Sequence, residues 1–554
     1  MSKPGDTIES VESSRLPLTG APAQGPQGAP TGAHLHPEVQ NALAAIHANN
    51  LVLAESLLRC FLQTHSADVI ALKLLAEIAM KKGELGTAET LFAKCLEVAP
   101  NYAAAKHRYA MLLVTLKKLG LAKAQLEELL LSDPQNLNYR SLMAYTLGHV
   151  GEYERALQYH EGVVREVPDQ PRAWMAYAND LRASGRQDDC VAALRRVIEL
   201  KPSFGEAYWT LSDLRTFHFS PAEIESMRTQ LARSDLALHD RVFFHFSLAK
   251  AFDDLERHGD AFAEYKKGNA LQRSAIDYDA DQTTKEFARL KEVLTPDFFG
   301  RHSTAGCRTN DPIFIVSLPR AGSTLVEQIL STHSAIEGTR ELPTLQTIAG
   351  QITGAFPHSL RGLNDREFER LGQQYLDETR VFRKLDRPHF TDKMPSNFAY
   401  AGLIHLMLPC AKIIDVRRHP LDCCMANFKQ VFARSLKFSY SLTDVGRYYR
   451  DYVDLMAYFD HVLPGKIHRV IYEQLVNDPE REVRLLLDYL GLPFEQECMR
   501  FYETNRAVRT PSSEQVRTPI YRKAIGGWRK YETNLEPLKK ALGPMADAYP
   551  ALIE

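Results

Sequence analysis

Pro312 to Leu330 reads PIFIVSLPRAGSTLVEQIL. A run of β-branched and aromatic residues, Ile313 to Val316, is followed by a tight turn and, from Ser323, by a helix-like pattern, so the stretch reads as strand, loop and helix. A loop of that kind converges backbone amides at a helix N-terminus and makes an anion cradle. The version that holds nucleoside triphosphates carries G-x-x-x-x-G-K-[ST], with the lysine on the outer phosphates and the hydroxyl on magnesium. Here Gly322, Ser323 and Thr324 have no lysine before the hydroxyls. Arg320 stands at the tip instead, a planar donor fork suited to phosphate or sulfate oxygens. A second cationic place follows in AKIIDVRRHPLDCCMANFKQ, where Arg417 and Arg418 end a strand-like run beside His419 and Pro420 and ahead of a helix. Together the two suit a nucleotide with two separated phosphate groups.

The elements that must position these residues are read from periodicity. Pro100, Pro134, Pro168 and Pro202 recur every 34 residues. Small residues keep the same period through Ala42, Ala76, Ala110, Ala144, Ala178 and Ser212, and through Ala54, Ala88, Ala122, Ala156 and Cys190. Gly83, Gly151 and Gly185 share a register in which Lys117 fills the gap. Small residues let paired helices approach, glycine ends the first helix of a pair and proline stops the second. The segment 37–235 therefore resembles a tetratricopeptide array, an α-solenoid that binds a peptide or partner protein on its concave face. A further helical pair from Arg241 reads as a degenerate repeat, giving a connector over 236–300. From 301 to 554 short strands alternate with helices. Ile313–Val316, Lys412–Val416 and His468–Ile471 are the expected strands of a parallel α/β sheet, whose ligands collect at the strands' carboxyl ends.

Composition narrows the class. With 67 basic and 69 acidic side chains the net charge is −2, so any anion is gathered locally, and neither nucleic acid nor a membrane surface is indicated. Eight cysteines contain no C-x-x-C pair, which supports neither a disulfide framework nor a zinc knuckle. Residues 1–36 are rich in Gly, Pro, Ala and Ser and are expected to be a disordered tail. No stretch of about eighteen apolar residues occurs to span a membrane, and the expected compartment is the cytoplasm.

PRAGST, GTRELP, TDKMPSNF, VRRHPLD, VIYEQLV and SSEQVRTPIYRKAIGGWRKYE, in that order, resemble the sulfotransferases that use 3′-phosphoadenosine-5′-phosphosulfate (PAPS). In particular they resemble the tyrosylprotein sulfotransferase-like branch found joined to tetratricopeptide repeats, over roughly 310 to 532. The resemblance implies a P-loop-like fold with the 5′-phosphosulfate on Arg320, Ala321, Gly322, Ser323 and Thr324 and the 3′-phosphate on Arg418. It also implies an aromatic wall at Tyr472 and a late loop from Ser512 through Gln515 to Tyr521 closing over the nucleotide. Glu341 matches the family's catalytic base, Lys393 its lysine between the leaving phosphate and the moving sulfuryl group, and Ser512 a serine at the same centre, with Ser513 as a one-residue alternative. His333, on a helix surface, and His419, in the phosphate clamp, are rival bases. One departure concerns the 3′-phosphate. The family has a serine eight residues after the arginine, whereas this chain has Ala426, so that either the 3′-phosphate grip is weakened or Asn427 or Lys429 substitutes.

A terminal sulfuryl group carries one negative charge where a phosphoryl group carries two, so arginine, lysine and amides can stabilise its transfer without magnesium. No metal is expected. The implied function is sulfuryl transfer from PAPS to an acceptor hydroxyl, with a peptide tyrosine as one candidate and the repeats recruiting the acceptor or a partner. A non-catalytic scaffold that senses nucleotide and binds proteins through its repeats is the alternative, and a triphosphate-using kinase a third reading.

Overall fold

The computed structural model of the chain describes residues 35–214, 216–432, 436–504, 515–520, 522–547 and 549. The expected disordered tail lies, up to residue 34, outside them. The chain divides into two compact units, one ending at Ala193 and the other beginning at Leu194.

The first unit is a succession of antiparallel helix pairs, among them Val69–Lys81 with Leu85–Val98, Ala103–Thr115 with Leu119–Ser132, and Leu137–Val150 with Tyr153–Glu166. The period-34 residues act as their chemistry dictates. Ala42, Ala76, Ala110, Ala144 and Ala178 are fully buried, as are Ala54, Ala88, Ala122 and Ala156, because a larger side chain there would hold the paired helices apart. Gly83, Gly151 and Gly185 end the first helix of a pair in the left-handed conformation, at φ of 76°, 85° and 86°. Lys117 adopts the same conformation at φ 60°. The repeat geometry has overridden the side chain's preference there. Each landmark proline falls two residues beyond a helix, as Pro100 does after Val98 and Pro134 after Ser132. The fold is the helical-repeat array that the spacing predicts, followed in the second unit by a parallel α/β domain.

That second unit opens with helical segments, including Gly205–Asp213 and the hairpin of Leu238–Asp254 and His258–Ser274. Its sheet has five strands: β1 (Pro312–Ser317), β2 (Ile336–Arg340), β3 (His389–Lys393), β4 (Lys412–Arg417) and β5 (Ile467–Ile471). All neighbours are parallel, in the order β2-β3-β1-β4-β5. Every residue of β1 is buried, as expected for a central strand covered on both faces. On one face Ile313 and Ile315 join Val326, Ile329 and Leu330 of the helix Ser323–Ser331, with Ile414, Val416, Val470 and Leu487 completing the core. On the other, Phe314 meets the Tyr375 ring at 5.4 Å. The three strands expected from sequence are β1, β4 and β5; β2 and β3 had not been anticipated. No helix among the described residues is long and apolar enough to cross a membrane.

Candidate active site

Because all five strands run the same way, their carboxyl ends share one edge, and each delivers a polar or aromatic group to it. In spatial order these are Glu341 after β2, Lys393 ending β3, the Arg320–Thr324 loop after β1, Arg418 after β4 and Tyr472 after β5. At about 4.8 Å per strand the row covers roughly 19 Å.

The loop is built by its backbone. Arg320 and Gly322 both have positive φ, 68° and 107°, which curls the chain so that amides converge ahead of the helix Ser323–Ser331. Ser323 and Thr324 begin that helix and are nearly buried. Asn427 Nδ2 donates to the Pro319 carbonyl at 2.7 Å and to Cys423 O at 2.9 Å, so this fully buried amide buttresses the loop from behind. Its donor is therefore spoken for, while Lys429 Nζ is itself bonded to Asp253 and lies 3.1 Å from the Tyr531 hydroxyl. Burial pushes the neighbouring Cys423 thiol up to about 12, so it is inert as a nucleophile.

Arg418 is held across the loop. Its Nη1 donates to the Arg320 carbonyl at 3.1 Å, its Nη2 to Ala524 O, and its guanidinium lies 5.1 Å from the centre of the Tyr472 ring. Its Nε is buried with no hydrogen-bond partner among the described residues.

Glu341 and Lys393, far apart in sequence, meet at 2.6 Å. The lysine side chain is 1% exposed and the carboxylate 42%. The ammonium is thus set inward beside β1, while the carboxylate faces solvent, from which an acceptor would come. The rival histidines are otherwise engaged. His333 is not on a helix surface but buried, its Nε2 3.0 Å from Pro493 O and its Nδ1 accepting the Ala335 amide. His419 caps the helix Pro420–Phe428 by accepting Leu421 N–H, stacks on Trp528 at 5.9 Å, and is held below its usual pKa by burial.

A cavity of about 720 Å³ opens over the loop and Arg418. Asp422, Met425, Ala426 and Lys429 line it from one face of the helix after β4, and Gly322, Ser323, Thr324 and Tyr472 from beneath. Its far wall comes from the helical segments of the same unit: Trp209, Ser212, Asp213, Lys250, Asp254 and Tyr265. Asp253, the residue before Asp254, shares its carboxylate between Lys429 Nζ and the Tyr531 hydroxyl, with His258 Nδ1 at 3.2 Å. Burial alone would raise the Asp253 pKa, but Lys429, Tyr531 and His258 hold it below the usual carboxylate value. Asp422 accepts the amides of Gly526 at 2.7 Å and Trp528 at 3.0 Å and so shapes the late segment. Sequence reasoning had named none of Trp209, Asp253, Asp422 or Tyr531. Ser512, Ser513 and Tyr521 lie outside the described residues, and Gln515 is described only as backbone in the turn Gln515–Arg517.

Helical repeats followed by a P-loop-like turn on a parallel sheet, with no triphosphatase lysine, define the class of protein. Comparison with known proteins gives the family. Residues 312–496 match the model of a sulfotransferase family, and residues 39–173 match a tetratricopeptide domain model described as that of cytochrome c-type biogenesis protein H. One stretch of the chain is thus similar to tetratricopeptide repeats and another, in the α/β domain, to a sulfotransferase family. An uncharacterized protein of Aquifex aeolicus is 31% identical over 398 residues, 69% of this chain and 50% of its own length. A putative protein-tyrosine sulfotransferase of Caenorhabditis briggsae is 24% identical over 228 residues, 39% of this chain and 80% of its own. The protein-tyrosine sulfotransferase of Drosophila melanogaster is 22% identical over 274 residues, 45% of this chain and 52% of its own. The chain thus spans about half the length of the first and third of these relatives. Among solved structures, YrrB, described as a TPR protein with an unusual peptide-binding site, aligns over 31% of this chain and 88% of its own with a TM-score of 0.29 and 18% identity.

Proposed function

We propose that this protein transfers a sulfuryl group from PAPS to an acceptor hydroxyl, a peptide tyrosine being the candidate acceptor, and that the repeats recruit that acceptor or a partner protein. The observation that carries the reading is the 2.6 Å contact between Glu341 and Lys393 on the strands beside the anion loop. The residues present suit PAPS. The loop amides and Arg320 would take the phosphosulfate, the unpartnered Nε of Arg418 offers a donor for the second phosphate, and Tyr472 supplies a ring face.

In this reading the acceptor oxygen attacks sulfur as the bond from sulfur to the nucleotide's 5′-phosphate oxygen breaks, leaving a sulfate ester and 3′,5′-ADP. Glu341 takes the hydroxyl proton. A tyrosine hydroxyl has an ordinary pKa of about 10, so a positioned base matters near neutrality. Lys393, set inward, neutralises the charge that grows on the leaving oxygen. Its ion pair with Glu341 keeps the base oriented until the acceptor arrives. Ser512 would donate a hydrogen bond at the same centre.

The test is incubation of the full chain with sulfur-labelled PAPS and a pool of tyrosine-containing peptides. Label on peptide tyrosine, dependent on Glu341, is expected. Binding of 3′,5′-ADP with no transfer to peptides or to any other hydroxyl compound in a cell lysate would refute the catalytic reading and favour a nucleotide-sensing scaffold.

A further inference from the structure

Behind the arginine clamp stands a carboxylate that the reaction described above does not use. Glu473 follows the ring-bearing Tyr472, and His419 follows the clamp residue Arg418. Glu473 Oε1 accepts the His419 N–H at 3.1 Å, and its Oε2 accepts the Tyr549 hydroxyl. The His419 ring in turn contacts both Trp528, at 5.9 Å, and Tyr549, at 5.2 Å. Glu473, His419 and Tyr549 are not among the residues that line the cavity. One side chain behind the site therefore joins the exits of two strands to a tyrosine 76 positions downstream.

The sheet itself does not supply that join. The β4–β5 ladder ends at the pair Arg417 and Ile471, one residue short of the clamp, and the two chains then part into the helices Pro420–Phe428 and Tyr472–Asn477. The Arg418 guanidinium bonds to the Arg320 and Ala524 carbonyls, on the loop and the late segment, and not to β5. Yet its seat 5.1 Å from the Tyr472 ring centre requires both exits to be held together. We propose that Glu473 is the positioning residue of the clamp: with one oxygen on the His419 N–H and the other on the Tyr549 hydroxyl, it keeps Arg418 seated over Tyr472. The consequence for catalysis rests on the sulfotransferase reading above; the tie between the strand exits does not.

The chemistry of the tie suits a fixed brace. His419 is the N-cap of the helix Pro420–Phe428, where backbone amides have no partner within the helix, and Pro420 has no N–H to offer. A carboxylate placed there satisfies the His419 amide and meets the positive end of the helix dipole. With both its oxygens engaged, Glu473 cannot change rotamer without breaking a charge-assisted hydrogen bond. Removing the Tyr549 hydroxyl frees one oxygen only, whereas removing the carboxylate frees the two strand exits from each other. Graded effects on the clamp follow.

Glu473→Ala, Glu473→Gln and Tyr549→Phe in the full chain test this. Three measurements are made: calorimetric titration with 3′,5′-ADP, transfer from labelled PAPS to the tyrosine peptide pool, and hydrogen exchange at the His419 amide. For Glu473→Ala we expect 3′,5′-ADP affinity about tenfold weaker with the number of binding sites unchanged, and a PAPS KM about tenfold higher with kcat within about twofold. Damage to the fold alone would lower the number of competent sites and kcat, and leave affinity and KM in place. Glu473→Gln should bring affinity back to within about threefold of the parent, because its carbonyl oxygen still accepts the His419 N–H. Tyr549→Phe should lose about threefold. Affinity within about twofold of the parent in Glu473→Ala, or a loss that Glu473→Gln does not recover, overturns the proposal. If Glu473→Ala does not fold, unchanged affinity in Tyr549→Phe overturns it. If the parent binds 3′,5′-ADP but transfers nothing, the sulfotransferase reading has failed and the affinities decide the positioning role. If the parent does not bind 3′,5′-ADP, the nucleotide reading has failed and exchange decides it: the His419 amide must exchange at least about tenfold faster in Glu473→Ala than in the parent.

Discussion

Replacing Gly322 by alanine tests how the loop, the aromatic wall and the arginine clamp depend on one another. Gly322 sits at φ 107° and ψ 7° at the start of the helix Ser323–Ser331. A Cβ built there falls 2.6 Å from Cδ2 and 3.2 Å from Cε2 of Tyr472. Carbon atoms rest at about 3.5–4.0 Å, so the ring must retreat by about 1 Å. An L-residue in left-handed backbone costs about 1–2 kcal/mol, and forcing a methyl into packed space about 1–3 kcal/mol more. The second unit should therefore lose about 2–5 kcal/mol. Tyr472 carries the Arg418 guanidinium at 5.1 Å, so the displaced ring also disturbs the clamp. Losing one charge-assisted contact costs about 1.5–3 kcal/mol, or about ten- to a hundredfold in 3′,5′-ADP affinity. Denaturant unfolding of the transition that 3′,5′-ADP shifts gives the first number, and calorimetric titration the second. Adding Tyr472→Ala separates the terms, because it removes the clash and leaves the backbone cost. A Gly322→Ala protein within about 0.5 kcal/mol of the parent and within twofold in affinity would refute both the strain argument and the link to Arg418.

Glu341→Gln keeps the side chain's shape but cannot take a proton; transfer should fall on the order of a hundred- to ten-thousand-fold with 3′,5′-ADP affinity unchanged, as single-turnover rates and titration would show. Lys429→Met should weaken 3′,5′-ADP about tenfold while leaving 5′-AMP unaffected, because Ala426 on the same helix face provides no hydroxyl for the 3′-phosphate; equal losses for both nucleotides would place Lys429 elsewhere. Gly148→Ala puts a methyl 2.4 Å from Asp180 Oδ2, whose carboxylate pairs with buried His160 at 3.2 Å. It should destabilise the first unit by about 1–3 kcal/mol in thermal unfolding while the 3′,5′-ADP-dependent transition stays in place.

What the sequence disclosed depended on whether local pattern and tertiary role agreed. The repeats were legible because each needs the same small residues at the same places, and a period survives even where Lys117 stands in for glycine. Strands β1, β4 and β5 announce themselves by β-branched runs. β2 and β3, IEGTR and HFTDK, do not, since beside Ile336 and Phe390 most of their buried residues are polar and serve particular partners: Glu337 accepts the Leu385 amide at 2.8 Å, and the Thr391 hydroxyl donates to Glu327 at 3.2 Å. Glu341 and Lys393 were named by family resemblance; nothing in the spacing between them foretells a 2.6 Å contact. Asp253 was invisible for the opposite reason. It looks like one more acid at the end of a repeat-like helix, and its partners Lys429 and Tyr531 are separated from it by 176 and 278 positions.

The shared carboxylate of Asp253 bears on how such a protein could have been assembled from older parts. The hairpin Leu238–Asp254 and His258–Ser274 has the look of a further repeat, yet it supplies the counter-ion for a lysine and the acceptor for a tyrosine hydroxyl in the α/β domain. A fusion that joined an unrelated helical array directly to the sheet would take away both Asp253 and Tyr265 and leave the Lys429 ammonium against the Tyr531 ring without its counter-ion. Lineages that exchange their arrays would therefore be expected to keep this hairpin with the sheet and to recombine upstream of it, so that its sequence drifts at the pace of the α/β domain and not of the repeats it imitates.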